Sequence, residues 1–537
     1  MDFLFDPLAA SVGASADQVK LITCLLVSYP LGSVFIRIPS SRPALKHLFN
    51  LSIAVFYFIP VLNLKSAFLQ LLGDVLATYF VAARVKGHLM PWIVFTGLMG
   101  HLTVNHVLRA MSATGYETFE ITGPQMVLVM KLTTFAWNVW DGRRRAEDLD
   151  KWQLQMRVAQ FPSLLEFLGY AFYFPGVLVG PYLEYAAYTS LVNETLFRAY
   201  EDKTTDARSK SRRAIPRGRK RVAYRKALFG LIFLGLYTTF SSSFNYGIAI
   251  TDWFLKQNIL YRIFYIQFCG FIERTKYYGV WTLTEGASIL TGLGFTGYSP
   301  SGKSLWEGAA NVKIGLIEFP PNFKILLDSW NMKTNVWLRE CVYKRVTPKG
   351  KKPGFRSSMI TFATSAFWHG VAGGYYMTFL LGGFITTAGR LCRANIRPLV
   401  LAVPAQTRQH TSIPNGAPTK KALPEDRPTT IKRLYDLSGI AVCILLVNYA
   451  TIPFMLLHVQ ESTQAWTRLW WYGHCMVGSC LVFFYAGGGR WLKGIQVKRA
   501  QRTSSLTFSS SDTVDYLSPP FVPPIDPAVR ELEKRLD

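Results

Sequence analysis

Long apolar runs govern what this chain can fold into. They fall at Leu21–Ile36, Leu51–Leu62, Trp92–Val107, Met126–Trp140, Leu164–Val179, Ala227–Ser241, Met359–Ala388, Leu437–Leu457 and Trp466–Ala486. A stretch from Tyr261 to Leu293 mixes aromatic and polar residues. A helix crosses the hydrocarbon core of a bilayer in about 20 mostly apolar residues, and several of these runs approach or exceed that. The fold class expected is an all-α polytopic membrane protein with roughly 9–11 transmembrane helices, allowing for short, broken or tilted ones.

Charge orients the bundle. The 537 residues carry a net charge of +26, gathered in loops such as "KSRRAIPRGRKRVAYRK", "YKRVTPKGKKPGFR" and "GRWLKGIQVKRAQR". Short Lys/Arg-rich loops beside spans mark the cytoplasmic face, where they meet anionic headgroups. No recognition module accompanies the charge, so nucleic acid is not an expected partner. The acidic start lacks the basic leader of a secretory signal, and the first run is expected to act as an anchor. A lumenal start and a cytoplasmic end then imply an odd number of crossings. One membrane domain is expected over 1–489, with basic cytoplasmic loops near 201–226 and 390–433. The residues from 490 to 537 are expected to form an unstructured cytoplasmic tail, being rich in serine and proline from Gln501 on.

Two runs do not fit simple spans. Met359–Gly389 has basic loops at both ends, yet its 31 residues are too few for two full crossings. The Leu164–Tyr188 region has the same difficulty and contains "FPGVLVGPY". Irregular backbone at membrane depth is tolerated only when buried in protein or lining a cavity. Broken or re-entrant segments around an internal chamber are therefore expected.

Within the first of these runs sits His369, in "TSAFWHGVAGGYYMTFLLGGF". An ionisable residue inside a membrane segment is costly and marks a functional position by default. Gly370, Gly373 and Gly374 remove bulk beside it and are expected to admit a ligand or a neighbouring helix. His101 and His106 are five apart, do not share a helix face, and read as helix-core or interfacial positions. Seven scattered cysteines form no CxxC pair, so no disulfide framework and no metal site is expected. Upstream, "EFPPNFKILLDSWNMKTNVWLRECVYKRV" would in continuous helical register place Asn331, Thr334 and Asn335 on one face, with Arg339 a turn further.

Two patterns resemble the membrane-bound O-acyltransferase (MBOAT) family, and specifically its lysophospholipid acyltransferase branch. One, at 368–375, is W-H-G-x-x-x-G-Y, matched by Trp368, His369, Gly370, Gly374 and Tyr375. The other, at 318–337, is E-x11-W-N-x2-T-x2-W, matched by Glu318, Trp330, Asn331, Thr334 and Trp337. The likeness extends upstream through "MKLTTFAWNVWDGRR" and "LGYAFYFPGVLVGPYLEY". It implies an MBOAT-type bundle in the endoplasmic reticulum membrane and transfer of an acyl chain from acyl-CoA to a lysophospholipid hydroxyl. His369 and Asn331 would be the catalytic pair, the other eight motif residues would shape the substrate chamber, and no cofactor is implied beyond acyl-CoA as co-substrate. The acceptor could instead be a sterol, diacylglycerol or a protein. A transporter would call for paired intramembrane charges and two related halves, neither of which is visible. No histidine has an aspartate five residues on, which excludes the His-x4-Asp mechanism of other glycerolipid acyltransferases.

Overall fold

A computed structural model describes residues 2–112, 118–198, 215–348, 351, 354–401 and 430–505. It is helical almost throughout. Among the described residues the only strands are Gly297–Tyr298 and Ser304–Leu305, an antiparallel pair with Gly297 opposite Leu305. The helices Ala16–Phe35, Pro43–Val61, Lys65–Arg84 and Thr430–Leu456 are each long and apolar enough to cross a bilayer. The Lys65–Arg84 helix is absent from the runs read off the sequence, because Asp74 interrupts its apolar pattern. Asp74 is buried, and its carboxylate accepts hydrogen bonds from His101 at 2.7 Å and Gln125 at 3.2 Å. A charge satisfied inside the bundle does not oppose burial of the helix that carries it.

The Thr122–Gly142 helix occupies the centre, buried on nearly every side. Its Lys131 donates to the carbonyls of Tyr170 (2.6 Å) and Ala171 (2.8 Å). Those carbonyls close the short Leu164–Ala171 helix, which stops there and gives way to a turn at Phe174–Gly176. A cation at a helix C-terminus satisfies carbonyls that the ended ladder leaves open. The expected break in this region is therefore present, and a buried lysine completes it. The 33-residue Ile259–Thr291 helix packs on Arg219–Phe240 through paired glycines. A β-carbon on Gly230 would lie 3.0 Å from the Gly279 carbonyl oxygen, and one on Gly279 would lie 3.1 Å from that of Gly230. Small residues let the two backbones approach this closely.

The Met359–Ala388 run resolves into two helices, Phe355–His369 and Gly373–Asn395. They fold back on one another, with Gly383 against Met359 and Gly382 against Phe362. A helical hairpin explains how so short a run can have basic residues at both ends. His369 is the last residue of its first arm.

Other boundaries depart from expectation. The Arg219–Phe240 helix begins inside the basic segment 201–226, of which 201–214 lies outside the described residues. The 390–433 segment is helical to Asn395, has a further turn at Arg397–Val400, and meets the next helix at Thr430. Residues 402–429 between them lie outside the described residues. Gly489–Ser505 is a helix, so an unstructured tail does not begin at 490, and 506–537 lie outside the description.

Buried apolar side chains form two large clusters. One gathers around Thr122–Gly142 and its neighbours, and the other joins the C-terminal helices to the N-terminal half of Ile259–Thr291. The hairpin is seated against the second by Gly374, whose N–H donates to the Leu457 carbonyl at 2.8 Å. A β-carbon on Gly374 would stand 2.0 Å from the Pro453 carbonyl oxygen, whereas one on Gly382 would meet only Phe362 at 3.8 Å. Gly374→Ala should therefore destabilise the protein by about 1–3 kcal/mol, and Gly382→Ala should be close to neutral. Thermal melting of the two variants in detergent checks the contrast.

Candidate active site

Between the two clusters lies a cavity of about 910 Å³, lined from both sides by residues such as Met130 and Tyr182, Tyr246 and Ala450. His369 lines it. The helix that carries it ends because Gly370 turns away with φ +139°, a conformation that side chains disfavour. The imidazole stands among four aromatic rings: Trp368 edge-on at 4.7 Å, Phe454 edge-on at 4.9 Å, Phe379 stacked at 5.3 Å, and Tyr375 at 5.7 Å. Among the described residues neither ring nitrogen has a hydrogen-bond partner. The rings fix the imidazole without using up its donor or its acceptor.

Asn331 reaches the same cavity by a different device. The expected continuous helix is broken, with Phe323–Ser329 ending before it and Met332–Trp337 starting after it. Asn331 occupies the junction at φ +43°, ψ +55°, the left-handed region that asparagine tolerates better than most residues. Its Oδ1 accepts from Asn311 Nδ2 at 3.1 Å and from the Thr334 hydroxyl at 2.9 Å. Both partners are donors there, which fixes the orientation of the amide. Its Nδ2 has no partner among the described residues, so the side chain offers the cavity a donor. Asn311 holds the turn as well, accepting the Met332 N–H on its carbonyl (2.8 Å) and the Lys333 N–H on its Oδ1 (3.0 Å).

The motif residues divide into lining and support. Trp330, Thr334, Trp368, Gly370 and Tyr375 line the cavity with His369 and Asn331. Glu318, Trp337 and Gly374 do not. Glu318 grips Arg274, which does line it, through two bonds of 2.8 and 2.7 Å, and accepts from the Tyr278 hydroxyl at 2.6 Å. Trp337 is fully buried and touches Trp368 at 5.7 Å, which joins the two motifs directly. The glycines, expected to admit a ligand or a neighbouring helix, divide between the two: Gly370 and Gly373 line the cavity and Gly374 does not. Gly374 admits neighbouring backbone, and a β-carbon on Gly373 would meet Val459 at 2.4 Å. Asn335 departs from expectation, turning back to bond the Leu327 carbonyl and Asp328.

The cations of the cavity wall are paired. Arg109 faces Glu120 at 2.9 Å, Arg274 faces Glu318, and Lys333 faces Glu184 at 3.3 Å. Of the other basic residues near the motif, Arg339, Lys344 and Arg345 are held by Glu340, Asp150 and Asp141 and stand off the cavity. No group of three metal-ligating side chains occurs among the described residues. Cys341 is buried and also off the cavity.

His106 is the residue that the spacing argument set aside. It does not share a face with His101, which belongs to the Asp74 cluster, but it does line the cavity. Its Nε2 lies 3.2 Å from the Trp368 carbonyl oxygen. A rule already applied to His369, that a histidine in an apolar run marks a site, would have found it. For Asn311 and Phe454 no sequence signal exists, since an ordinary asparagine in a loop and a phenylalanine among apolar residues carry none.

The MBOAT family model, described as the membrane-bound O-acyltransferase family, matches residues 108–412. The chain belongs to the membrane-bound O-acyltransferase family. A lysophospholipid acyltransferase of Schizosaccharomyces pombe is 37% identical over 484 residues, 90% of this chain and 89% of the relative. One of Saccharomyces cerevisiae is 36% identical, covering 90% of this chain and 76% of that protein. Human membrane-bound glycerophospholipid O-acyltransferase 1 is 29% identical, covering 87% and 89% respectively. This MBOAT chain is a multi-pass membrane protein, with both motifs inside the matched region. His106 and Phe454, which complete the wall around the histidine, fall outside it.

Removing Glu318 should reveal its supporting role. Glu318→Ala leaves the Arg274 charge in the wall without its carboxylate, and for this half-buried pair the loss should approach the lower end of the about 3–5 kcal/mol that breaking a buried pair costs. A marked fall in melting temperature, in a variant of a residue that does not touch the cavity, is the expected result.

Proposed function

We propose that this protein transfers a fatty acyl group from acyl-CoA to the free hydroxyl of lysophospholipids, with His369 as general base and Asn331 as oxyanion donor. The observation that carries the reading is the pairing of an imidazole and an amide N–H₂, each without a hydrogen-bond partner among the described residues, on one largely apolar cavity. Similarity to the fungal lysophospholipid acyltransferases over most of the chain supports the choice of acceptor class.

The chemistry follows from the donors present. A thioester is already activated, so no covalent enzyme intermediate is needed. His369 takes the hydroxyl proton as the lysolipid oxygen bonds to the thioester carbon. The carbonyl oxygen becomes an oxyanion, which the Asn331 amide N–H₂ meets. The carbon–sulfur bond then breaks, and the proton passes from His369 to the departing thiolate, giving diacyl phospholipid and free CoA. Low dielectric strengthens each of these interactions relative to water. An apolar chamber within the membrane lets two acyl chains enter while the polyanionic head of acyl-CoA stays outside. That entry is on the cytoplasmic side by the basic-loop argument, and the endoplasmic reticulum is the membrane we assign. Lysophosphatidylcholine and lysophosphatidic acid are both among the acceptors proposed.

Expression in membranes lacking lysolipid acyltransferases, supplied with oleoyl-CoA and a lysolipid panel, tests this. Wild type should form diacyl phospholipid. His369→Ala should lose about 10²–10⁴-fold, the usual worth of a positioned base. Asn331→Ala should lose about 10²–10³-fold in kcat, as for other oxyanion donors. Transfer only to sterol, diacylglycerol or protein would replace the acceptor class.

A further inference from the structure

His106 stands beside the main chain that carries His369. It comes from the Met90–Met111 helix, is buried, and lines the cavity. The Trp368 carbonyl that its Nε2 meets belongs to the residue just before His369. In an unbroken helix that carbonyl would accept from the N–H four residues on, but Gly370 ends the helix first. A carbonyl accepts only, so Nε2 carries the hydrogen of this bond. Nδ1 then faces Gly370, 3.4 Å from where a β-carbon there would stand. The indole of Trp368 is tied separately, its Nε1 donating to the Met126 carbonyl at 3.1 Å. The last turn before His369 is thus clamped from two helices, at the main chain by His106 and at the side chain by Met126.

We propose that His106 is a positioning residue for acyl transfer, holding the severed end of the Phe355–His369 helix so that the His369 ring points into the cavity. The proposal rests on His369 being the base. A base displaced by even 1 Å loses much of its effect, so the loss should fall on the chemical step and leave substrate binding intact.

Glutamine and methionine separate this from general packing, because they are similar in length and only glutamine carries a donor that can reach the carbonyl. His106→Gln should keep kcat within about 3-fold of wild type. His106→Met should lower kcat about 10-fold or more, with KM for oleoyl-CoA and for lysolipid within about 2-fold. Equal activity of the two variants would overturn the proposal, as would a loss in His106→Met carried by KM. So would a His106→Gln variant that fails to fold or is as impaired as His106→Met. A His106→Met variant that does not fold, beside a working His106→Gln, would assign the residue to stability and overturn the positioning role. Assaying His369→Ala in parallel keeps the two claims apart. An active His369→Ala removes the base itself, whereas an inactive one beside equal His106 variants removes only the clamp.

Discussion

Every break in a membrane helix frees backbone carbonyls and N–H groups that no water is at hand to satisfy. This protein breaks its helices repeatedly near one cavity, and four of the breaks among the described residues have an internal partner. Lys131 meets the open end of Leu164–Ala171. His106 meets the end of Phe355–His369, the Leu457 carbonyl accepts from Gly374 where the next helix starts, and Asn311 holds the turn at Asn331. Without such partners the chain would close into regular spans, and there would be no chamber to line.

The same constraint shapes the electrostatics. The charges in the cavity wall stand as pairs, and the pairs belong to the scaffold. Arg274 and Glu318 tie the Ile259–Thr291 helix to the start of one motif, and Lys333 and Glu184 tie that motif to the segment after the Leu164–Ala171 break. Beside these pairs the cavity presents an imidazole boxed by aromatic rings and an amide fixed by two donors, the two groups proposed to carry the chemistry. An acyl transfer that begins and ends with uncharged reacting groups suits such a wall, because a bare charge beside the thioester would itself have to be solvated.

The fold class was legible from apolar runs, and so was the existence of irregular segments, because proline and glycine inside such runs carry a physical cost. Lys65–Arg84 escaped because Asp74 breaks the pattern locally, and only its distant partners His101 and Gln125 neutralise that cost. The hairpin at His369 was visible as a length that fits neither one span nor two. The family motifs pointed to His369 and Asn331 by resemblance, but helical register gave the wrong account of Asn331. Its place depends on a left-handed turn held by Asn311, twenty residues earlier in the chain. His106 was legible as a histidine in an apolar run, whereas Arg274 and Phe454 reach the cavity from two further helices, and contacts between helices leave no mark in the spacing of either.

Cryo-electron microscopy of the protein in a lipid nanodisc tests the central claim most directly, with lysophosphatidylcholine and an unreactive thioether analogue of oleoyl-CoA both bound. The account predicts the lysolipid hydroxyl within about 3 Å of a His369 ring nitrogen, and the carbonyl-position oxygen of the analogue against the Asn331 amide. A hydroxyl placed against another side chain, or two ligands bound outside this cavity, would contradict it.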